Sequence, residues 1–318
     1  MINVLSLFDG ISCGQVALNN IGLKINNYYA SEIDCNAIRI TQENYPNTIQ
    51  LGNVEYIDEK VLSKLPKINI IFAGFPCQDI SSAGKRTGLQ GDRSKLFFEF
   101  LRIYNYLKNH NNKEIIFLVE NVGGISKQDL DTINNLLSVN SILLNSENFS
   151  AQRRKRHYWT NIKIINNIPC NNEYLKDILE NKKVSEIYNI PQKLLETYKF
   201  LKEGQNWNNL PDNNKEKLII LESRKKHKNP GGQTGFWKIY SKNLKSPTLT
   251  AQGLKQKMTR FVLIDHFNVL RYPTPIEFER LQGLPDNYTN MVSDNHRYKA
   301  IGNSWNVKTI EWILKNKF

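Results

Sequence analysis

Cysteine and histidine are scarce in this sequence, and neither is spaced as a metal site or a redox pair would require. The four cysteines, at positions 13, 35, 77 and 170, include no Cys-x-x-Cys pair, and the five histidines form no ligand spacing. The sequence therefore predicts no structural zinc and no disulfide framework. No apolar run is long enough to cross a membrane, and the N-terminus lacks a basic start followed by an apolar core. We expect a cytoplasmic protein without membrane association.

Acidic residues are also in deficit. The chain carries 30 Asp and Glu against 43 Lys and Arg, a formal net charge of +13 over 318 residues. The excess is uneven, because residues 164–258 hold 17 basic and 9 acidic side chains, a surplus of eight. This charge indicates a polyanionic partner, with a solvated lysine-rich surface as the alternative. Residues 164–258 are the better candidate for a face that contacts phosphates.

Short apolar runs alternate with helical patterns in the first half of the chain, which is typical of βαβ units and a mostly parallel sheet. The apolar runs predict strands over residues 4–8, 28–32, 47–51, 68–73, 115–119 and 142–145. The helical patterns predict a helix opened by the glycine turn at 10–14, and helices over residues 36–44, 94–108 and 127–138. We therefore expect an α/β fold.

The alternation fades after about residue 163, where the chain becomes polar and rich in turn residues. Helical periodicity resumes at residues 276–281 and 307–314. No internal repeat is visible. These changes predict two domains, a larger one from residues 1–163 and 285–318 and a smaller, irregular one from residues 164–284.

Two chemically active side chains follow predicted strands directly. Cys77 comes after the run at residues 68–73 and after Gly74 and Pro76, which end the predicted strand. Glu120 comes after the run at residues 115–119. Open α/β folds keep their chemistry at the carboxyl ends of strands. A free cysteine is more often a small buried hydrophobe, so Cys77 alone would not indicate a site. The pairing with Glu120 favours a thiol and a carboxylate that face one pocket.

Six short motifs follow one another along the chain. They are LFDGISCG at residues 7–14, PCQ at 76–78, ENV at 120–122, QRRKR at 152–156, RYPTP through RLQG at 271–283, and GNS at 302–304. Their content and order resemble the signature motifs of the cytosine-C5 DNA methyltransferases. Any one could occur by chance, but six in the family's order are highly specific. The resemblance spans residues 4–307 and is to bacterial or phage enzymes, although Trp305 and residues 96–100 are similar to the eukaryotic de novo branch.

The resemblance implies a Rossmann-like, S-adenosyl-L-methionine-dependent methyltransferase domain with a mixed, mostly parallel sheet, and a smaller target-recognition domain. It makes Cys77 the nucleophile that adds to C6 of cytosine and Glu120 the acid at N3. Arg154 and Arg156 would stabilise charge at O2 and favour the thiolate. By themselves, residues 152–156 read more readily as a solvated basic loop. We expect Asn121 to orient Pro76 and its loop.

The resemblance also implies a set of residues that bind S-adenosyl-L-methionine. They are Phe8, Asp9, Gly10, Gly14, Glu32, Ile33, Asn53, Val54, Pro76, Leu96, Asn303, Ser304 and Trp305. Glu32 ends the second predicted strand, where Rossmann-like folds bind ribose hydroxyls. Asn53 stands where the family more often has Asp at the adenine amino group, so that contact is in doubt. A glycine turn after a strand is by itself weak evidence.

Double-stranded DNA is the implied substrate, and the target base must be flipped out of the helix. The residues that we expect at DNA are Gln78, Ser81, Lys85, Arg86, Arg93, Gln152, Arg224, Gln233, Thr234 and Lys238. Residues 79–93 are placed to close over DNA, or else form an ordinary surface loop. Residues 224–245 are expected to carry part of the base readout, with a solvated loop as the alternative.

Two other functions stay open. The first is an RNA enzyme of the same fold, although the Cys-Phe-Thr tripeptide of the tRNA cytosine methyltransferases is missing. The second is a non-catalytic DNA-binding paralogue, which would have no use for Cys77 and Glu120 together. We expect a nucleoid-associated monomer, with a cognate restriction endonuclease as a partner in a restriction-modification system.

Overall fold

The computed structural model describes residues 1–76, 96–190, 198–199, 219–223, 236–251, 261–267 and 269–318. It divides into two compact units. The first contains Met1–Ser146, Arg154–Pro169 and Asn303–Phe318, and the second contains Glu147–Arg153 and Cys170–Gly302. The predicted loop at residues 79–93 lies outside the described residues, as do Cys77 and Gln78.

A seven-stranded sheet forms the centre of the first unit. Its strands are β1 (Ile2–Leu7), β2 (Ile25–Ser31), β3 (Ile49–Gln50), β4 (Ile70–Ala73), β5 (Ile116–Val122), β6 (Ile142–Asn145) and β7 (Lys155–Thr160), in the order β3-β2-β1-β4-β5-β7-β6. Strands β1 to β5 pair in parallel, whereas β7 runs antiparallel to both β5 and β6. The strand order reverses between β1 and β4, and such a switch point opens a crevice at the carboxyl ends of the strands.

Helices of the first unit connect these strands. They are α1 (Cys13–Asn20), α2 (Cys35–Asn44), α3 (Glu59–Leu62), α4 (Leu96–His110) and α5 (Lys127–Leu137), together with the last helix of the chain, α9 (Val307–Leu314). Polar side chains define where the helices begin. Asp34 accepts a hydrogen bond from the Asn36 amide at 3.0 Å, and Asn306 accepts one from the Thr309 amide at 3.2 Å. Such caps satisfy amide groups that have no partner within the helix.

The core of the first unit lies where α4 covers β4 and β5. Phe100 of α4 contacts Phe97 in a tilted arrangement and stacks on Tyr104, and Tyr104 meets Phe117 of β5 edge to face with ring centroids 5.1 Å apart. Both β4 and β5 are almost continuously apolar, as strands covered on both faces must be. The predicted α/β class with a mixed, mostly parallel sheet is confirmed.

A second, five-stranded sheet lies in the second unit. Its strands are β8 (Tyr198–Lys199), β9 (Ile219–Ser223), β10 (Phe236–Tyr240), β11 (Phe261–Ile264) and β12 (Leu270–Arg271), in the order β12-β11-β10-β9-β8. The helices of this part are α6 (Leu175–Ile178), α7 (Pro275–Gln282) and α8 (Asp294–Asn303). The last residue of α8, Asn303, already belongs to the first unit. Arg271 is fully buried here between Asp265 at 2.8 Å and Glu277 at 2.7 Å.

Three features differ from the sequence-based expectations. Residues 285–302 cluster with the second unit, whereas the sequence assigned them to the larger domain. Strand β7 was not predicted, because its first residues belong to the basic run QRRKR. Glu120 does not follow a strand but lies within β5, because pairing with β7 extends that strand to Val122.

Candidate active site

The turn after β1 lies at the switch point of the sheet. Phe8, Gly10 and Ser12 have φ values of 57°, 59° and 57°, all in the left-handed region. A side chain at Gly10 would meet no atom within 4 Å, so the glycine is favoured by its backbone conformation and open space adjoins it. Gly14 is constrained differently, since a Cβ there would lie 2.5 Å from the ring of Phe72. The turn therefore exposes backbone to a ligand at one point and packs tightly at another.

Glu32 lies directly after β2 and is held by backbone amides. Its Oε2 accepts from the Gly10 amide at 2.8 Å, and its Oε1 accepts from the amides of Ile33 and Asp34 at 2.7 and 2.8 Å. A carboxylate has about four acceptor positions, so acceptor capacity remains for hydroxyl groups. Ile33 beside it is 74% exposed. This arrangement offers a fixed carboxylate and an apolar surface to a ligand.

Asp9 belongs to this turn and is partly buried. Its Oδ1 accepts from the Tyr28 hydroxyl at 2.8 Å, and its Oδ2 accepts from the Ser12 hydroxyl. Burial raises the pKa of Asp9 from 3.8 to about 6, against the opposing effect of its hydroxyl donors, and the nearby charge of Glu32 raises it further. Sequence reasoning missed Tyr28 and Ser12, which only the fold brings to Asp9.

Asn53 is engaged in its own loop. Its Oδ1 accepts from the Glu55 amide at 3.1 Å and its Nδ2 donates to the Glu55 carboxylate at 3.0 Å, so it begins the short 3-10 helix Val54–Tyr56. Val54 is buried. The Ser31 hydroxyl ties this loop to β2 by donating to the Gly52 carbonyl at 2.7 Å. The side-chain oxygen of Asn53 thus stabilises the loop, and an adenine contact stays a prediction.

The chain leaves β4 at Gly74 and reaches Pro76, the last described residue before Cys77. Asn121 of β5 holds this segment, because its Nδ2 donates to the Phe75 carbonyl at 3.1 Å. Its Oδ1 accepts from the Val122 amide at 2.7 Å. The first of these contacts holds the backbone directly before Pro76, and the expected orienting role of Asn121 toward the loop stays a prediction. Leu96 is the first residue of α4.

Glu120 and Arg156 form an ion pair at this edge of the sheet. Glu120 is opposite Tyr158 across the β5–β7 ladder, so Arg156, two residues earlier on β7, is its diagonal neighbour on the same face. Arg156 Nε lies 2.8 Å from Glu120 Oε1, and both side chains are largely buried. Trp305 Nε1 donates to Glu120 Oε2 at 3.1 Å. The carboxylate is therefore oriented by one donor on each oxygen.

Arg154 occupies a different environment. It is 3% exposed, and its Nη2 donates to the Ser304 carbonyl at 2.9 Å. Burial, followed by the positive charge of Arg156, lowers the pKa of Arg154 to about 10. Arg154 thus ties the Ser304 backbone to the residue before β7, and its contact with cytosine O2 stays a prediction.

Cys13 is the first residue of α1, directly after the turn that follows β1, and it is not a candidate nucleophile. Burial raises the pKa of its thiol to about 12, against the opposing hydrogen bond with Ser304. A protonated thiol is a poor nucleophile at neutral pH.

Gln152 lies inside the second unit rather than on a surface. It is fully buried, its Nε2 donates to the Leu281 carbonyl and to Gln282 at 3.1 and 2.9 Å, and its Oε1 accepts from the Leu249 amide at 3.2 Å. Its amide is therefore occupied by protein, which corrects the expectation that Gln152 contacts DNA. The sequence does not show whether a glutamine is buried or exposed, so the burial of Gln152 could not be predicted.

Lys245 ends the segment that we expected to read bases. Its Nζ donates to the carbonyls of Glu147, Ser150 and Asn171 at 2.9, 3.1 and 2.8 Å, and it lies over the ring of Tyr174. Lys245 thus fixes the loop before Gln152. Only the backbone of Lys238 is described, on β10. The other expected DNA contacts lie outside the described residues, namely Ser81, Lys85, Arg86, Arg93, Arg224, Gln233 and Thr234.

The described part of the chain contains neither a metal-binding cluster nor a membrane-spanning helix. No group of three or more His, Cys, Asp or Glu side chains there could hold a metal ion. No helix there is both long and apolar enough to span a membrane.

The sheet order, the antiparallel β7 and the glycine turn at the switch point define an α/β methyltransferase fold. The family model of the C-5 cytosine-specific DNA methylases matches residues 2–318. The chain is 29% identical to the type II methyltransferase M.HpaII of Haemophilus parainfluenzae, over 96% of this chain and 86% of the relative. It is 30% identical to M1.ScrFI of Lactococcus lactis subsp. cremoris, over 98% of this chain and 77% of the relative.

Solved structures share the fold. The methyltransferase EhMeth of Entamoeba histolytica superposes with a TM-score of 0.72 at 20% identity, covering 99% of this chain and 97% of that one. The Dnmt2 methyltransferase of S. pombe gives a TM-score of 0.69 at 19% identity, with the same coverage. At this identity the likeness shows the fold alone. Because the family model covers nearly the whole chain, the chain belongs to the C-5 cytosine-specific DNA methylases, and the predicted family and enzyme class are confirmed.

Proposed function

We propose that this enzyme transfers a methyl group from S-adenosyl-L-methionine to C5 of a flipped cytosine in a specific duplex DNA sequence, through a covalent bond between Cys77 and C6. The observation that carries the proposal is the oriented ion pair of Glu120 with Arg156. It lies on β5 and β7, and Asn121 of the same motif holds the segment that leads into Cys77. An acid and a cation are thus fixed on the two strands next to Asn121, which binds the backbone two residues before Cys77 in sequence.

The residues at the switch point fit S-adenosyl-L-methionine. Gly10 leaves open space above the turn, and the carboxylate of Glu32 keeps acceptor capacity for ribose hydroxyls. The exposed Ile33 offers an apolar face to a flat ring, and Asp9 provides a nearby carboxylate for a cation. When bound there, S-adenosyl-L-methionine supplies the electrophilic methyl group that C5 takes up.

The chain's own residues would activate the base. The Cys77 thiolate adds to C6, and the electron pair of the broken C5–C6 double bond collects at C5. Glu120, in its protonated form, supports this shift by donating a hydrogen bond or its proton to N3, and it takes the proton back when the ring is restored. Arg156 is positioned to stabilise charge at O2. After methylation, the C5 proton leaves to water and its electron pair expels the Cys77 thiolate, which restores the double bond.

Arg154 has a supporting role in this proposal. Its guanidinium is buried and donates to the Ser304 carbonyl, so it positions the segment that carries Trp305. Of the two arginines predicted at O2, Arg156 is the one with a direct contact to Glu120.

Duplex DNA is the substrate that the charge and the relatives favour. The net charge of +13 suits a polyanion, and M.HpaII and M1.ScrFI are both named type II methyltransferases. A cytosine inside a duplex cannot be reached by a thiol, so the base must be flipped out. We infer that the enzyme acts as a monomer and that a restriction endonuclease of the same specificity is its biological partner.

Covalent trapping tests the mechanism. Duplex DNA with 5-fluorocytosine at the target, mixed with S-adenosyl-L-methionine, is expected to give an adduct that survives denaturation, because fluorine cannot leave as a proton does. Cys77→Ser should give no adduct, whereas Cys35→Ser, which alters an exposed cysteine at the start of α2, should give the wild-type yield. An adduct that persists in Cys77→Ser would refute the assignment of the nucleophile.

Bisulfite sequencing distinguishes the substrates. DNA from a host that expresses the chain should contain 5-methylcytosine at one sequence context, and tRNA from the same cells should not. Methylation confined to tRNA would replace the proposed substrate with RNA. No methylation of either, with a folded protein, would favour a non-catalytic DNA-binding protein.

A further inference from the structure

Trp305 contacts the proposed acid directly. The indole Nε1 donates to Glu120 Oε2 at 3.1 Å, although the two residues are 185 positions apart in sequence. We propose that Trp305 is a positioning residue that fixes the carboxylate of Glu120, and that Gly74 is glycine because the indole occupies the space of its side chain. This inference rests on the proposed function, and it gives Trp305 a role different from the expected contact with the cofactor.

The geometry around Glu120 supports a positioning role. Arg156 Nε binds Oε1 at 2.8 Å, and Trp305 Nε1 binds Oε2. One donor on each oxygen sets both the rotation and the tilt of the carboxylate plane, while each oxygen keeps an acceptor position. A carboxylate held by Arg156 alone could rotate about that contact. The second donor therefore reduces the orientations of Glu120 that a bound base would otherwise have to select.

The indole is itself held in place. Its ring meets Phe72 of β4 edge to face, with centroids 5.7 Å apart and an interplanar angle of 74°. A Cβ at Gly74 would lie 2.7 Å from Nε1 and 3.2 Å from Cε2 of Trp305. Contacts under 3.0 Å do not occur for real Cβ atoms, so a side chain at this position must displace the indole. The φ of Gly74 is not positive, so its backbone conformation does not require glycine. Glycine is required because the indole leaves no space for a side chain.

The first experiment removes only the indole N–H. Trp305→Phe keeps an aromatic ring against Phe72, so we expect its melting temperature to change little. Single-turnover methyl transfer at saturating DNA and cofactor should slow roughly 10- to 150-fold, the effect of losing one hydrogen bond to a charged group. Cofactor affinity should be unchanged. Trp159→Phe is the matched control, since it also loses one indole hydrogen bond, the 2.7 Å contact with Asn134, and should keep the wild-type rate.

A double-mutant cycle separates positioning from general support of the fold. Glu120→Asp keeps an acid but shortens the side chain by one methylene, which withdraws it from Nε1. In that background Trp305→Phe should cause no further slowing. Equal slowing in both backgrounds, a weakened cofactor affinity with an unchanged transfer rate, or no slowing at all would each overturn the proposal.

Gly74→Ala provides a second cycle that does not alter Glu120. In the wild-type background the added methyl group should displace the indole and slow transfer to the same degree as Trp305→Phe. In the Trp305→Phe background, Gly74→Ala should slow methyl transfer by a smaller factor, because the phenyl ring lacks the Nε1 atom that the added methyl group would meet. Independent costs would refute the link between Gly74 and the indole. A wild-type protein that methylates neither DNA nor RNA would overturn the proposed function, and this inference with it.

Discussion

The contact between Arg156 and Glu120 provides the sharpest test of how this site works. Arg156→Gln keeps a polar side chain of similar length and removes the positive charge. Among the described residues, the other side-chain bond given by Arg156 is a local one, from Nη1 to the Lys155 carbonyl at 2.8 Å, so its loss should leave the sheet intact. We expect the variant to fold and to bind S-adenosyl-L-methionine as the wild type does, but to transfer the methyl group slowly.

The size of the effect follows from the geometry. The two side chains are 14% and 11% exposed, and Nε lies 2.8 Å from Oε1, so the bond is charge-assisted and only weakly screened by water. Hydrogen bonds to charged groups contribute about 1.5–3 kcal/mol. At about 1.36 kcal/mol for each factor of ten, the single-turnover rate should fall roughly 10- to 150-fold. Arg156→Lys retains the charge without the planar guanidinium and should fall by less.

The assay is single-turnover transfer of labelled methyl groups to plasmid DNA from a host without cytosine methylation. Arg153→Gln is the matched control. Arg153 lies in the same basic run, but its side chain is 60% exposed and its ion pair with Glu147 is 3.2 Å long. Exposed pairs contribute little, so this variant should keep the wild-type transfer rate. A fall of less than about threefold in folded Arg156→Gln would refute the role of this pair, because a charge-assisted bond is worth more.

Two further predictions concern the turn after β1. Glu32→Ala should weaken S-adenosyl-L-methionine binding, measured by calorimetry, and leave the saturated transfer rate nearly unchanged. Unaltered affinity would show that Glu32 does not bind the ribose. The pKa of Asp9 is raised to about 6, so protonating it stabilises the folded state; this contribution is complete below about pH 4 and is lost as the pH rises through 6. When the pH is lowered from 7 to 5, the free energy of unfolding measured in urea should therefore rise by roughly 1 kcal/mol more for the wild type than for Asp9→Asn. If the free energies of the two proteins change in parallel with pH, the raised pKa of Asp9 is contradicted.

The sequence was sufficient for features that depend on local pattern. The strand predicted at residues 142–145 matches β6, and the helix predicted at residues 36–44 begins one residue late. Apolar runs and capping residues such as Asp34 act over a few positions, so they can be read directly from the sequence. The motif order was likewise sufficient for the family.

Contacts between distant segments could not be predicted in this way. Trp305 and Glu120 meet only because the C-terminal segment returns to the edge of β4 and β5, which no local pattern encodes. Strand β7 was missed for a related reason. Its basic first residues favour a loop, and only the neighbouring strands β5 and β6 provide the ladder that makes it a strand. Tertiary pairing thus overrides local preference.

The basic run at residues 152–156 shows why a cluster of charge is not one functional surface. Along the extended chain, Gln152, Arg154 and Arg156 turn inward, to a buried amide network, to the Ser304 carbonyl and to Glu120 respectively. Arg153 and Lys155 alternate with them and are exposed. Residues two positions apart lie on the same face of an extended chain, so alternate side chains of the run point inward and outward. Within this run, Arg153 and Lys155 face solvent, whereas Arg154 and Arg156 contact the Ser304 carbonyl and Glu120.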